Sequence, residues 1–304
     1  MLSAFLLAAC AQDKGPFNDT ATILKNFSLS IPENSVDERW AANGIPSGVL
    51  LGIPPRGAIT VCTVGRFNEG HVATNAHCIL ESRTKNPSDY YVLFPDKSTG
   101  QKTMVRVKSF SYLGNPDHDD VALLKLESSG EDRWASFSAQ MGPFNDPRGD
   151  ALYYLWAFDP VPSEARGLGS PNAFGIEDNG AVFSRKTCRV SKQIPRVARS
   201  IDGDKPVAPT EYNPSNKQLD AAIHLFVDDC TPTTVSGNSG GVLTNAVGEA
   251  IGIFHWHVQK RAFRSNQYYF GNKGIWQRIW GNDLPGPAWS SIFGVATEFS
   301  AIHP

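Results

Sequence analysis

Thr74-Asn75-Ala76-His77-Cys78, Asp120-Val121-Ala122-Leu123 and Gly237-Asn238-Ser239-Gly240-Gly241 follow one another along the chain, and their reading decides the fold. Each places one versatile side chain in its own setting. A run of small residues precedes His77, an apolar run follows Asp120, and Ser239 has glycines on both sides. A serine hydroxyl is a poor nucleophile near neutral pH and needs a base within hydrogen-bond reach. Small residues around Ser239 permit a tight turn that presents its side chain. The same turn can aim the backbone N–H groups of Gly237 and Ser239 at one point, an arrangement that stabilises an oxyanion. A bulkier residue in place of Gly237 would not easily adopt the conformation needed. Taken alone, the glycine-rich segment also fits a hairpin turn with a solvent-facing serine, and the other two segments weigh against that.

Histidine suits the task of taking and returning a proton because its pKa is near neutral. With seven histidines in the chain, residue type alone says little. His77 is set apart by the small run before it and the cysteine after it. His71 reads as decoration of the preceding turn. His255 and His257 would share a strand face, but no nearby carboxylate or cysteine completes a metal site, so none is assigned.

The order His…Asp…Ser, in these settings, resembles that of chymotrypsin-fold (trypsin-like) serine proteases, particularly the bacterial branch related to glutamyl endopeptidases. The resemblance implies an all-β chain of two antiparallel six-stranded β-barrels, with the active site in the cleft between them. It implies His77 as base, Asp120 as the carboxylate that orients it, Ser239 as nucleophile, and Gly237 and Ser239 as oxyanion-hole donors. Asp117, Asp119 and Asp120 compete for the carboxylate role, and only Asp120 has the family's β-branched–Ala–Leu sequence after it. The other two are expected at the loop surface. Serine endopeptidase chemistry through an acyl-enzyme follows, with proteins or peptides as substrates and no cofactor. Two rivals are a catalytically silent binding protein of the same fold and an esterase using the same three residues.

Pocket preference is read from the same resemblance. The residue six before the serine, at the base of the primary pocket in trypsin-like enzymes, is Thr233, so a preference for Lys or Arg is not expected. Thr234 and His255 resemble the residues with which glutamyl endopeptidases select Glu. Gly252-Ile253-Phe254-His255-Trp256 carries one extra residue before the histidine, however. In a strand, a one-residue slip turns a side chain to the opposite face. If the Asn245–Gly248 turn absorbs the extra residue, His255 faces the pocket; otherwise Phe254 does. His257 stands where the family usually has glycine, and a side chain there would narrow the groove.

Apolar residues make up 41% of the 304 residues and charged residues 19%, a balance that supports a sizeable core. A formal net charge of −2 gives no sign of a nucleic-acid partner. Residues 1–10, MLSAFLLAAC, form an apolar run ending in Leu7-Ala8-Ala9-Cys10. This resembles the lipobox of bacterial lipoproteins, with Cys10 as the lipidated residue and the membrane as a tether. It lacks a basic leading region, which leaves open a start upstream of Met1. The alternative is a plain N-terminal element with a buried cysteine. With Cys10 set aside, four of the five cysteines remain. Cys62–Cys78 matches the disulfide that closes the histidine loop in the family, leaving Cys188 and Cys230 to pair. Two disulfides fit an oxidising compartment, here the bacterial cell envelope (an outer-membrane lipoprotein) or the medium. Four buried free thiols are the alternative.

Residues 11–44 are polar and punctuated by Pro16 and Pro32, the pattern of a tether or of an extension laid over the body. From there the chain reads as short strands separated by turn signals, among them Ile59–Val64, Met104–Phe110, Val121–Leu126, Ala151–Phe158 and Ala250–His255. The barrels are expected over 45–135 and 145–304, the second carrying insertions at 195–220 and 261–290. A monomer is expected.

Overall fold

The computed structural model describes residues 17–32, 47–57, 59–68, 70–95, 102–116, 119–127, 144–145, 151–160, 180–192, 224–232, 234, 237–261, 268–270 and 289–298. The lipobox, Cys10 and the 195–220 segment lie outside them. Among the described residues, two short α-helices, α1 (Thr20–Asn26) and α2 (Ala76–Leu80), and a 3-10 turn at Pro87–Asp89 accompany fourteen strands. The fold is thus mostly β.

The first half closes into a barrel. Its strands are β2 (Ser47–Gly52), β3 (Thr60–Asn68), β4 (His71–Thr74), β5 (Tyr90–Pro95), β6 (Lys102–Leu113) and β7 (Ala122–Leu126), paired around the ring as β2-β3-β4-β7-β6-β5. Closure leaves no sheet edge to protect. The second half forms an eight-stranded sheet. Its members are β1 (Ser28–Ser30), β8 (Leu152–Pro160), β9 (Gly180–Ser191), β10 (His224–Thr231), β11 (Val242–Thr244), β12 (Ala250–Arg261), β13 (Tyr268–Phe270) and β14 (Trp289–Glu298). They run β1-β9-β10-β14-β12-β11-β8, with β13 on β12 and a further pairing of β8 to β9.

Of the two barrels expected, the first is thus present as a closed six-stranded ring, and the second half is a larger sheet of eight strands. Two strands that the turn signals did not announce enlarge it. One is β1, from the N-terminal extension, which pairs in parallel with β9. The other is β13, from the 261–290 segment, of which residues 262–267 and 271–288 lie outside the described ones.

Alternation along each strand sorts side chains between interiors and interface. In β2, Leu50 fills the barrel with Val64, Val92 and Leu124, while Val49 and Leu51 face out and pack with Trp156 and Phe158 of β8. β7 sends Ala122, Leu124 and Leu126 inward and Leu123 outward, onto Val242 and Ile253 of the second sheet. β8 does the same from its side, with Tyr153, Leu155 and Ala157 inward and Trp156 and Phe158 toward the barrel. Both faces of these strands are buried over most of their length, so they read largely as apolar runs. The packing is close enough that a Cβ on Gly65 would lie 2.1 Å from Val242 Cγ2.

The N-terminal extension belongs to this interface. Asp19 caps α1, accepting from the Ala21 and Thr22 amides. At the other end Lys102 of β6 donates to the Leu24, Lys25 and Phe27 carbonyls. These are carbonyls that a helix end leaves without partners. Leu24 and Phe27 then pack with Leu93 of the barrel and with Trp156 and Phe183 of the sheet. Phe27 is 1% exposed, so Phe27→Ala is expected to lower the unfolding free energy by about 3–5 kcal/mol, measured by urea denaturation. A change under about 1 kcal/mol would mean that the extension contributes little to the packed body.

Candidate active site

The ends of β4 and β7 bring the first two residues together. These strands pair from His71↔Lys125 to Thr74↔Ala122. The chain therefore leaves β4 into α2, which carries His77, beside the point where Asp120 leads into β7. Backbone and side-chain bonds lock this corner. The Ala76 N–H and the Asn75 side-chain amide both donate to the Asp120 carbonyl, at 3.2 and 2.9 Å. Asp120 itself has a φ of 46°, the one positive value outside glycine among the described residues. That region is sparsely populated for residues with a Cβ and persists where neighbouring bonds hold it. The Cys62–Cys78 disulfide pins α2 to β3, and Cys188–Cys230 joins β9 to β10. The first is the pair that the resemblance implies, and the second is the pair that it leaves.

The two side chains meet at bonding distance. His77 Nδ1 lies 2.7 Å from Asp120 Oδ2, and the His77 backbone N–H donates to Oδ1 at 2.9 Å. An ionised carboxylate only accepts, so Nδ1 carries a proton and Nε2 is the nitrogen left for other chemistry. Asp120 has no exposed surface, while the His77 side chain is 21% exposed. Burial pushes the Asp120 carboxyl up, but the adjacent His77 ring, together with His255, outweighs it and holds the group well below the usual carboxylate range.

Ser239 arrives from the second sheet. Its turn, 237–241, docks on β3: the Thr63 N–H donates to the Ser239 carbonyl at 2.8 Å and the Thr63 hydroxyl to the Gly237 carbonyl at 3.0 Å. Thr74, next to the His77 corner, donates its hydroxyl to the Thr63 carbonyl at 2.8 Å. Gly237 and Gly240 have φ of 105° and 85°, values that side-chain-bearing residues rarely adopt. At Gly240 space forbids one as well, since a Cβ would lie 1.9 Å from the Thr63 carbonyl oxygen. The Ser239 hydroxyl points to the His255 carbonyl at 3.4 Å. That is long for an O–H···O bond and leaves the hydroxyl free to turn. Among the described residues, neither the Gly237 nor the Ser239 N–H donates to another group.

The residues assigned to the pocket are placed differently. Thr233 lies outside the described residues, and Thr234 is buried. The register of β12 shifts against β11 between Leu243 and Thr244, and against β14 between Phe254 and Trp256 and between Val258 and Gln259. Phe254 joins the core of the second sheet with Cys188 and Leu225. His255 turns the other way. Its ring has no exposed surface, with Nδ1 3.6 Å from Asp120 Oδ2, Nε2 3.3 Å from the Thr297 hydroxyl and His224 stacked at 5.4 Å. His257 pairs through its backbone with Gly294, its side chain lying outside the described set.

Asp119, passed over in favour of Asp120, is a loop organiser. It accepts from the Asn115 N–H and the Tyr112 hydroxyl. Asp117 lies outside the described residues. Cys62, His77 and Cys78 sit together, but both sulfurs are used in the disulfide and leave no metal ligand set. Sequence reasoning missed Thr63 and the residues behind Asn238: its side-chain amide donates to Asp159 at 2.7 Å, and Asp159 is bonded to Lys186 at 3.0 Å. A signal for Lys186 existed. It shares strand parity with Cys188 and Val190, both buried, which marks it as an inward-facing charge.

A depressed carboxyl stabilises the fold above its unfolded pKa, and that contribution is lost as pH falls through the folded value. The difference in melting temperature between the native chain and Asp120→Asn is therefore expected to be full near about pH 5 and to shrink below the ordinary value of 3.8. A difference that stays constant down to about pH 2 would contradict the lowered value.

Comparisons with known proteins bear on this arrangement. The HtrA-type protease AlgW, solved with a tripeptide, aligns at 15% identity and a TM-score of 0.45, covering 86% of this chain and 60% of its own. Deg5 aligns at 20% identity and a TM-score of 0.44, covering 72% of this chain and 82% of its own. The chain thus spans about three fifths of the length of the AlgW structure. No curated protein matches the sequence. A family model described as the trypsin-like peptidase domain matches residues 62–253. The matched stretch is more than half of the chain, runs from the disulfide at the His77 corner to the strand behind Ser239, and establishes that the protein belongs to this family.

Proposed function

We propose that the protein is a serine endopeptidase in which Ser239 attacks the carbonyl carbon of a peptide bond. His77 Nε2 takes the hydroxyl proton as the C–O bond forms and the carbonyl electron pair moves to oxygen. The Gly237 and Ser239 N–H groups meet that oxyanion. The C–N bond then breaks, His77 returns the proton to the departing amine, and water repeats the sequence on the acyl-enzyme. Asp120 holds the ring in its tautomer and offsets the charge it acquires. The observation that carries this reading is the 2.7 Å bond between His77 and the wholly buried Asp120, at a corner where Thr74 ties into the seat of the Ser239 turn. The family it belongs to supports the same chemistry.

For the second sheet, we infer that it serves as the partner barrel of the cleft, since its pairings lead from β8 through β9, β10, β14, β12 and β11 back to β8. Attachment through a lipidated Cys10, residence in the cell envelope and a monomeric state belong to the same proposal. None is needed for the chemistry. Labelling of the full chain with a fluorophosphonate probe is expected, with none in Ser239→Ala. A folded wild type that stays unlabelled would overturn the reading and favour a silent binding protein.

Preference for glutamate before the scissile bond is the finer question. It rests on Thr234 and His255, and the His255 ring is directed at Asp120 and Thr297 with no surface open to a substrate carboxylate. Its influence falls on the catalytic carboxylate instead. A peptide library is therefore expected to give a kcat/KM ratio for Glu over Gln below about tenfold, the discrimination of a pocket without a charged partner. A ratio of about a hundredfold or more would restore the glutamyl assignment.

A further inference from the structure

Lys186 is the unexpected residue of the second sheet. It has no exposed side-chain surface, yet it carries a charge on the inward face of β9. Its ammonium donates to the Asp159 Oδ2 at 3.0 Å and to the Ser184 hydroxyl at 3.0 Å. The other Asp159 oxygen, Oδ1, accepts from the Asn238 side-chain amide at 2.7 Å, and that amide also donates to the Phe158 carbonyl at 3.2 Å. Asn238 is wholly buried. It sits between the two residues whose amides face the oxyanion, and its own carbonyl accepts from the Gly241 N–H at 2.9 Å. A charged donor, a carboxylate and an amide thus run in line from the core of the second sheet to the centre of the serine turn.

Stability alone does not account for this chain. A buried ion pair is seldom worth more than the apolar packing it displaces, because both charges lose water. Burial also presses the Lys186 ammonium toward its neutral form, and Asp159 opposes that shift. What the pair does provide is direction. Asp159 has both oxygens engaged, so it cannot rotate away from Asn238 without breaking a charge-assisted bond. Thr63 holds the front of the turn and Asn238 holds the back.

We propose that Lys186 and Asp159 are positioning residues for the serine turn, fixing the Asn238 peptide unit so that the Gly237 and Ser239 amides stay aimed at the oxyanion. The proposal rests on Ser239 acting as the nucleophile. The anchor lies within the second sheet, behind the turn that Thr63 of the first barrel holds in front.

Lys186→Met tests it. The substitution removes a buried charge and leaves Asp159, whose side chain is 30% exposed, in reach of water, so the fold is expected to hold. Full loss of one oxyanion donor lowers rate by about 10²–10³, so a loosened turn is expected to lower kcat by about 10–100-fold with KM within about twofold. A peptide aldehyde supplies the second readout. Ser239 Oγ adds to the aldehyde carbon, its proton passes to His77, and the carbonyl electron pair settles on the oxygen facing the turn. Affinity for the aldehyde is expected to fall by the same factor as kcat, while that for a product peptide, which forms no oxyanion, stays as it was. A merely structural role would not separate the two. Wild-type kcat and aldehyde affinity in a folded Lys186→Met would overturn the proposal. Should that variant not fold, Asn238→Ala decides between the same two outcomes. Fluorophosphonate labelling of the wild type separates the failures: labelled wild type with an unaffected variant sinks only this inference, and an unlabelled wild type sinks the serine reading with it.

Discussion

Thr63 makes two halves of the molecule into one site. Its amide and hydroxyl bind the carbonyls of Ser239 and Gly237, and its carbonyl takes the hydroxyl of Thr74. The serine turn is therefore seated on the same pair of strands that ends in the His77 corner. Three polar contacts of this kind have room to form only because Gly240 brings its backbone against Thr63 without a side chain between them. The apolar surfaces around the seat supply the larger part of the attraction, since Val242 and Ile253 pack directly on Ala73 and Leu123. The hydrogen bonds contribute about a kcal/mol each at most, and their role is register rather than adhesion.

A second constraint is the charge on Asp120. A carboxylate with no access to water is tolerable only with partners on every side. It has the His77 ring and amide in front and the His255 ring behind. The left-handed backbone at Asp120 is part of the same solution. It turns the Asp120 carbonyl toward the Asn75 and Ala76 donors while the side chain reaches His77. Strain there is stored against a closed set of bonds, as at other sites where geometry matters more than local comfort.

The three segments that announce the site are legible because each combines a reactive side chain with neighbours that its local backbone requires: glycines where φ is positive at the serine turn, small residues at the entry to α2, and an apolar strand after Asp120. The strands of the first barrel were legible as short runs between turn signals, while their closure into a barrel was implied only by the resemblance. Long-range contacts were not. Nothing local to Phe27 or Leu29 says that the polar stretch around them folds back onto β9. His255 illustrates the limit most clearly. It was read as a pocket residue with two possible directions, and its direction depends on where β12 shifts register, which is set by pairing with β11 and β14 rather than by the sequence near the histidine.

Asn238 lies between these cases. It stands in the middle of the most legible segment, yet its partner Asp159 is on β8 and Lys186 is on β9. Only the pairing of those strands, which sets Asp159 opposite Val182 and Leu155 opposite Lys186, brings the three together. The carbonyls on either side of Asn238 are taken by Thr63, and its side chain reaches away from the turn to β8. It finds its acceptor in Asp159, and a carboxylate that bonds a wholly buried amide on one oxygen is paired on the other with Lys186. Lys186 is the second-order consequence: Asn238 calls for an acceptor, and the acceptor calls for a cation. The buried charge in the second sheet is therefore best understood from the turn inward rather than from the core outward.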